Sequence, residues 1–189
     1  QINNIGNFLK NKNIKYIYLA DSLGSVRPDK LNLIINRLKK ISNWEIGIHA
    51  HDNLKYALKN SLSAMHNGAI WIDCTITGMG RGPGNLKTED IIKKCRGYQT
   101  SKKFINLKSN FLKLKKHYKW GTNNYYAFAA KNKIHPTYIQ TLLSDKRYKK
   151  NEYLSILKSL STLDAKKFNP SKLINLNYFI SNKKFNGRW

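Results

Sequence analysis

Residues 45–85 read EIGIHAHDNLKYALKNSLSAMHNGAIWIDCTITGMGRGPGN. This stretch opens with a short apolar strand that ends in His49-Ala50-His51, and it closes with a glycine-rich loop that ends in Asn85. Alternate side chains of a strand point to the same face, so the two imidazoles are predicted to project together. Two imidazoles at a strand end can supply two ligands of a metal site. An isolated H-x-H, however, more often consists of two ordinary core or surface histidines.

Strands and amphipathic helices alternate on both sides of this stretch. The β-branched and apolar runs predict strands at 14–20, 45–50 and 69–76, with a weaker fourth at 103–107. The first of these is nearly continuous in apolarity, which predicts burial on both faces. Helical periodicity predicts helices over 1–12, from Pro28 to Ile41, from Leu54 to Met65, and over 88–96.

The alternation of strands and helices indicates a parallel α/β fold, because helical crossovers connect parallel strands. The candidate chemistry falls at strand ends, where (β/α)8 barrels place their active sites. Roughly four βα units are visible, whereas a closed barrel needs eight and about 250 residues. We therefore predict the C-terminal part of a (β/α)8 TIM barrel over residues 1–109, a small α-helical appendage over 110–160, and a tail of low order over 161–189.

The composition allows a core but gives little information about a partner. The chain has 189 residues, 41% of them hydrophobic, and a net charge of +25. Lys far outnumbers Arg and Asn is abundant, a combination typical of AT-rich coding sequence, and the positive residues are spread along the chain. A nucleic-acid site would need a clustered basic stripe, so we expect no specific nucleic-acid binding.

The cysteines and the hydropathy pattern give an expected location. Cys74 and Cys95 lie far apart with no C-x-x-C, which predicts free thiols in a reducing compartment. No apolar run is long enough to span a membrane, and the first residues lack the apolar stretch of a secretory signal. We therefore expect a cytoplasmic protein that does not bind membranes.

The glycine loop has two possible interpretations. A dinucleotide-binding fingerprint that starts at Gly78 would need glycine where Pro83 stands, and no phosphate-binding G-K-[ST] is present. The loop could be a flexible turn, since glycines often only mark loops. Alternatively, it brings backbone groups and the Asn85 amide close to a bound ligand.

Other polar residues also have an ordinary and a functional interpretation. Asp21 or Ser22 could cap a helix or contact a substrate. Alternation puts Asp73 and Thr75 on one face of their strand and Cys74 on the other. Asp52 or Asn53 could cap the helix that follows the two histidines.

The order and spacing of these residues resemble the metal-dependent pyruvate aldolase and HMG-CoA-lyase-like TIM-barrel superfamily, in particular its 4-hydroxy-2-oxovalerate aldolase branch. The resemblance covers roughly residues 14–95, the C-terminal half of such a domain of the pyruvate carboxyltransferase type. The residues that carry it are His49, His51, Asp52, Asn53, Ala57, Asn60, Ser61, Leu62, Ala64, Gly68, Ala69, Asp73, Thr75, Gly78, Gly80, Gly82, Gly84 and Asn85, preceded by Asp21, Ser22 and Gly24.

The resemblance implies a metal site and a substrate shell. His49 and His51 match the family's ligands to a divalent ion, Mn or Mg, and Asn85 matches a further ligand of some members. A third ligand, an Asp, comes in the family from the first barrel strand with an Arg, and that motif is not found in this sequence. We place Asp21, Ser22, Thr75, Gly80 and Arg81 in the substrate shell.

Two tyrosines are candidates for the acid of such a site. Tyr125 and Tyr126 lie on a predicted helix of the appendage, where packing is the ordinary role of aromatic residues. One of them could reach into the site as a proton donor, and the spacing alone does not choose between them.

The implied activity is a metal-dependent aldol cleavage or condensation through a pyruvate-type enolate. The expected partners are a small 2-oxo acid, an aldehyde or acyl donor, and either further copies of the chain or the missing N-terminal half of the barrel. The family's HMG-CoA lyase branch uses a Cys in the glycine loop; this loop has none, which favours the aldolase branch. A Claisen-type acyltransferase like isopropylmalate synthase and a non-catalytic remnant or subunit are the alternatives.

Overall fold

A three-stranded parallel sheet forms the centre of the N-terminal part of the chain. The structure is a computed structural model that describes residues 2–10, 12–94 and 101–176. The strands lie side by side in the order β1, Tyr16–Ala20; β2, Glu45–His49; and β3, Trp71–Ile72. This order and direction fit consecutive βα units of a barrel wall.

Helices precede, connect and follow the strands. Their bounds are α1, Ile2–Lys10; α2, Pro28–Ile41; α3, Ala57–His66; α4, Thr88–Ile92; α5, Lys102–Tyr118; α6, Asn124–Lys131; α7, Pro136–Ser144; and α8, Tyr153–Ser161. Short 3-10 turns lie at Ile76–Gly78 and Lys150–Glu152. The predicted helices therefore form in the predicted order, with α4 confirmed as far as Ile92; Cys95 and Arg96, and with them the predicted second thiol, lie outside the described residues.

The two faces of the sheet differ in burial. Ile46 and Ile48 of β2 are buried against Leu31 and Ile35 of α2, in a core that α3 completes. The opposite face carries Tyr16, Tyr18 and Trp71, whose exposed fractions are 49%, 47% and 46%. The prediction that the first strand is buried on both faces is therefore wrong, because none of the described residues covers this second face, which lines the interior in a closed barrel.

Two predicted strands differ from the structure. The strand expected over 69–76 pairs with β2 only at Trp71–Ile72; beyond it Asp73 donates its N–H to Ile48 O (3.0 Å), and the chain then turns into the glycine loop. The weak strand expected over 103–107 is wrong, because these residues belong to the first half of α5. The described residues thus contain three βα units, one fewer than the prediction of about four.

Helices α6 to α8 form a second core of their own. Tyr138, Ile139 and Leu142 of α7 and Leu157 of α8 belong to one buried cluster, and both helices contact α6. The predicted helical appendage is therefore present, although its expected start at residue 110 falls inside α5.

The chain after α8 packs onto this second core. Residues 170–176 are helical, and Ala165 and Leu173 are buried in the core. The Tyr138 hydroxyl accepts the Asn169 N–H at 3.0 Å, which fixes this segment across α7. The expectation of low order is therefore wrong for residues 161–176, where two apolar side chains reach the core; the rest of the predicted tail lies outside the described residues.

None of the helices in the described ranges combines the length and the apolar character that crossing a membrane requires.

The second core gives a test of the packing. Leu157 of α8 is fully buried, whereas Leu154, one turn earlier on the same helix, is 49% exposed. We expect Leu157→Ala to lower the free energy of unfolding by about 2–5 kcal/mol, because it removes buried contacts and leaves a cavity. Leu154→Ala should change it by about 0.5 kcal/mol or less. Urea unfolding of both variants measures the difference, and equal losses would contradict this packing.

Candidate functional site

The two histidines lie together at the carboxyl end of β2. His49 is the last residue of the strand, and His51 forms an isolated antiparallel bridge with Asn85 just beyond it. The ring centroids are 4.8 Å apart and the ring planes are almost perpendicular. The predicted projection of both imidazoles to one side is therefore confirmed.

Each imidazole is held through its Nδ1 atom. His49 Nδ1 lies 3.1 Å from Asp73 Oδ2, and His51 Nδ1 lies 2.9 Å from the backbone oxygen of Asp21. A carbonyl oxygen only accepts, so His51 Nδ1 carries the proton and its Nε2 keeps a free lone pair. Burial lowers the pKa of His51, and the nearby positive charge of Arg81 adds to this effect. This arrangement favours the neutral, metal-binding form, and such Nδ1 partners are typical of metal-bound histidines.

The glycine loop is a tightly bonded structure and not a flexible turn. Gly84 O accepts the Asp52 N–H at 3.0 Å, and Asn85 donates its N–H to Gly78 O at 3.2 Å. Gly84 has a φ of +79°, and a Cβ added there would lie 2.6 Å from Gly78 O. The loop closes on itself so tightly that residue 84 must be glycine.

This loop places the Asn85 side chain beside the histidines. Asn85 and His49 line one shallow cavity of about 340 Å³, together with Asp73 and Thr75. The Asn85 Nδ2 atom donates to Met79 O at 3.1 Å, which leaves Oδ1 directed elsewhere and available to a ligand. Two imidazole Nε2 atoms and one amide oxygen fit part of the coordination shell of a divalent ion. The described ranges hold no group of three or more His, Cys, Asp and Glu side chains that could bind an ion, so this set is incomplete by itself.

Asp21 has a structural role in its turn. Its carboxylate accepts the N–H groups of Ser25 (3.1 Å) and Val26 (3.0 Å), while its backbone oxygen holds His51. The Asp21 side chain therefore caps backbone N–H groups of its turn, which is one of the two predicted roles. A contact between Asp21 and a substrate stays a prediction. Ser22 is exposed on the same turn.

The remaining substrate-shell residues lie along the glycine loop. Thr75 donates its hydroxyl to Met79 O at 2.7 Å, and a Cβ on Gly80 would come within 2.7 Å of Asn85 Nδ2. Arg81 is exposed at the tip of the loop. Cys74, a free thiol, packs against the core and also lines the cavity beside His49 with Asp73 and Thr75. The predicted separation of these residues by strand alternation does not hold, because β3 ends at Ile72.

The two candidate tyrosines on α6 lie in different places. Tyr126 is buried, and its hydroxyl oxygen would lie 2.9 Å from a Cβ on Gly82, so it contacts the glycine loop. Burial raises the pKa of Tyr126 to about 12. Tyr125 packs edge-to-face against Tyr153 of the helical core, with ring centroids 5.5 Å apart. The structure therefore brings Tyr126, and not Tyr125, to the loop.

Sequence reasoning missed the residues that hold the start of the loop. Glu89 is only 6% exposed, and its Oε2 accepts the Thr77 N–H at 2.9 Å. A Glu in the first turn of a helix is ordinarily explained by its favourable interaction with the helix dipole. Asp52 accepts the Ala57 N–H at the start of α3, close to its predicted capping role, while Asn53 is buried against Gly24. No local pattern distinguishes a first-turn Glu that reaches back to a loop from one that faces solvent.

Comparison with known proteins identifies the family. The family model described as HMGL-like matches residues 1–117. The chain therefore belongs to the HMGL-like family, as the spacing of its motifs suggested.

Individual relatives and structures agree with this assignment. A 4-hydroxy-2-oxovalerate aldolase from Pelotomaculum thermopropionicum is 40% identical over 85 residues, which are 44% of this chain and 25% of that protein. The crystal structure of the N-terminal domain of a protein described as an aldolase, from Bacteroides vulgatus, is similar with a TM-score of 0.66 and 31% identity, over 77% of this chain and 48% of that one.

A further structure extends the similarity through the appendage. A variant of the carboxyl transferase domain of Rhizobium etli pyruvate carboxylase with pyruvate has a TM-score of 0.71 at 13% identity, over 96% of this chain and 33% of that chain. At this identity it shows the fold alone. The chain thus spans half or less of these relatives, which is consistent with part of a barrel followed by helices.

The close approach within the glycine loop can be tested by substitution. Gly84→Ala places a methyl group against Gly78 O at a φ of +79°, and we expect a loss of about 2–4 kcal/mol in the free energy of unfolding. Gly68→Ala is the matched control, because Gly68 has nearly the same φ (+83°) and its Cβ would meet only the flexible end of the Lys39 side chain. Chemical denaturation should rank Gly84→Ala as clearly the more damaging, and equal losses would show that the loop does not close tightly.

Proposed function

We propose that this chain forms part of a divalent-metal-dependent aldolase or lyase that makes or breaks a carbon–carbon bond through a pyruvate-type enolate. The observation that carries the proposal is the paired geometry of His49 and His51, each held at Nδ1 with Nε2 left free. Membership of the HMGL-like family and the named aldolase relatives support it.

The ion would be held by His49, His51 and Asn85, completed by ligands from outside the described residues. Mixed nitrogen and oxygen donors suit Mn or Mg, with imidazole nitrogens favouring Mn of the two. When bound, such an ion polarises the keto oxygen of a 2-oxo acid and stabilises negative charge that develops there. Asp73 keeps His49 oriented, and the Asp21 backbone oxygen does the same for His51.

The chain's own residues would bind the substrate and supply a proton. Arg81, exposed at the loop tip, would pair with a substrate carboxylate. Burial raises the pKa of Tyr126 to about 12, so its hydroxyl stays protonated at neutral pH. When the carbon–carbon bond forms, this hydroxyl would donate its proton to the aldehyde oxygen, which becomes the hydroxyl of the product; when the bond breaks, the proton would return to the tyrosine oxygen. The acceptor is an aldehyde or an acyl donor, and the named relatives favour the aldehyde.

The exposed face of the sheet is the evidence for a partner that would complete the barrel. Tyr16, Tyr18 and Trp71 face the side where a closed barrel has its interior. The free edges of a three-stranded sheet also favour pairing with further strands. We propose that an N-terminal barrel half, or another copy of the chain, covers this face. The cytoplasmic location and the absence of specific nucleic-acid binding stay predictions.

The activity can be tested by exchange of the methyl protons of pyruvate in D₂O. The chain would be combined with the N-terminal barrel half of the Pelotomaculum relative, and exchange followed by proton NMR with Mn²⁺ or Mg²⁺ present. Exchange reports enolate formation without requiring the unknown acceptor. We expect metal-dependent exchange that falls at least about a hundredfold in His49→Ala/His51→Ala, because several kcal/mol of charge stabilisation are lost.

A second histidine pair provides the control. His66 and His117 are both exposed and lie on α3 and α5, away from the pair at β2. His66→Ala/His117→Ala should leave exchange unchanged. Exchange that survives the loss of His49 and His51 would overturn the proposal. A stable complex that shows no exchange would favour a non-catalytic subunit, and release of thiol from an acyl-CoA would favour the Claisen-type acyltransferase.

A further inference from the structure

A half-open cavity lies behind the glycine loop, and neither of the two histidines lines it. Its volume is about 800 Å³, and its walls come from the start of α3, the glycine loop, α4, the end of α5 and residues 120–123. Neither His49 nor His51 lines it, and Asn85 is the residue it shares with the shallow cavity beside His49. It is therefore a separate compartment that adjoins the proposed metal site at one residue.

The walls of this cavity are strongly positive. Five lysines line it against two aspartates: Lys55, Lys87, Lys115, Lys116 and Lys119 against Asp52 and Asp90. One of the aspartates, Asp90, already pairs with Lys87 at 3.6 Å. Lys55, Lys116 and Lys119 are exposed, whereas Lys87 and Lys115 are half-buried. The cavity thus has an excess of ammonium groups around a common volume, and their combined positive field attracts anions.

Lys115 shows the effect of these surroundings most directly. Its side chain is partly buried, and its Nζ donates to Thr77 O at 3.3 Å. Burial lowers the pKa of Lys115, and the positive charge of Lys87 lowers it further. The carboxylates of Glu89 and Asp52 act in the opposite direction and raise it. An anion in the cavity would oppose the repulsion between Lys115 and Lys87.

Backbone strain is concentrated around the same cavity. The described residues contain four non-glycine residues with a left-handed φ, and three of them line the cavity: Lys55 (61°), Thr77 (55°) and Lys119 (56°). A left-handed β-branched residue such as Thr77 is rare. Strain of this kind persists where the surroundings enforce it, and it is concentrated at ligand sites.

The surroundings hold Thr77 from both sides and leave its hydroxyl unused. The Thr77 N–H donates to Glu89, and Thr77 O accepts from Lys115 Nζ and from Trp120 Nε1 at 3.2 Å. The side chain is only 2% exposed, and its Oγ1 has no hydrogen-bond partner among the described residues. The bonds of its N–H and carbonyl groups fix the Thr77 backbone, and its carbonyl oxygen holds the Lys115 ammonium group at the wall of the cavity.

We propose that this cavity binds a small phosphate-bearing anion. Lysine ammonium groups are common phosphate ligands, and the volume exceeds that of a single phosphate, so a diphosphate or a larger phosphate ester fits the number of lysines better. The proposal goes beyond the proposed lyase activity, because the ligand does not require the two histidines or a metal.

Calorimetric titration with inorganic pyrophosphate tests this site, in low salt and with EDTA present. We expect saturable binding at one site that weakens as salt is added. Lys119→Gly should reduce the affinity about fivefold or more, because it removes one ammonium group from the wall. It should leave the melting temperature unchanged or raised, since glycine adopts a φ of 56° without strain.

Lys133 offers a matched control. It is the fourth left-handed non-glycine residue of the described ranges, its φ is also 56°, and it does not line this cavity. Lys133→Gly removes the same charge and the same strain, and it should leave pyrophosphate affinity within about twofold. Equal losses in the two variants would assign binding to the overall charge of the chain and overturn the proposal, as would the absence of binding.

Two further results distinguish this anion site from the proposed metal site and from a nucleic-acid surface. His49→Ala/His51→Ala should bind pyrophosphate normally, so the proposed lyase activity can fail while this site stands. If a short single-stranded DNA displaced pyrophosphate at a much lower concentration, and Lys119→Gly weakened the DNA equally, the small-anion proposal would be replaced by nucleic-acid binding.

Discussion

The hydrogen bond between His51 Nδ1 and the backbone oxygen of Asp21 connects the ends of two neighbouring strands, and the candidate site depends on it. Parallel pairing of β1 with β2 brings Ala20 level with His49, so the turn after β1 lies beside the residues after β2. The Asp21 carboxylate holds that turn, and its backbone oxygen fixes the tautomer of His51. One residue thus closes the turn and orients an imidazole. The glycine loop then completes the site, because only glycine at residue 84 lets Asn85 approach His51 so closely.

The two faces of the sheet differ in burial, and the exposed face indicates that further strands would cover it. Ile46 and Ile48 bury one face against helices, as any βα unit requires. The other face places Tyr16, Tyr18 and Trp71 in solvent. Burying large aromatic side chains contributes about 1.5–3 kcal/mol each. Covering this face would therefore stabilise the fold, and the covering strands would stand opposite the histidines, where the proposed metal site would take its further ligands.

Much of the fold could be predicted from the sequence, because periodicity and strand-end chemistry are local. The strands ending at Ala20 and His49, the helix that begins at Pro28, and the common side of His49 and His51 all follow from patterns within a few residues. The errors arose where tertiary contacts decide. Residues 103–107 are rich in apolar residues but extend a helix capped by Ser101, and Leu173 is ordered by a core formed by α7 and α8.

In the candidate site too, some features follow from local sequence patterns and others depend on tertiary contacts. The common side of the two histidines could be predicted from their spacing, and the resemblance to the family pointed to Asn85. The contacts of Glu89 and of the lysines around the cavity involve residues far apart in the chain, which no local pattern predicts. Tyr125 and Tyr126 could not be told apart from spacing. The contact between Tyr126 and Gly82 distinguishes them only once α6 is placed against the loop.

Binding of Mn²⁺, measured by electron paramagnetic resonance, shows whether the two histidines at the end of β2 hold an ion. The chain, its His49→Ala/His51→Ala variant and its His66→Ala/His117→Ala variant would each be combined with the N-terminal barrel half used in the exchange test and then titrated side by side. We predict that the chain and the second variant bind one ion with similar affinity, and that the first variant loses this binding. Equal binding by all three proteins would contradict the assignment of a metal site to His49 and His51.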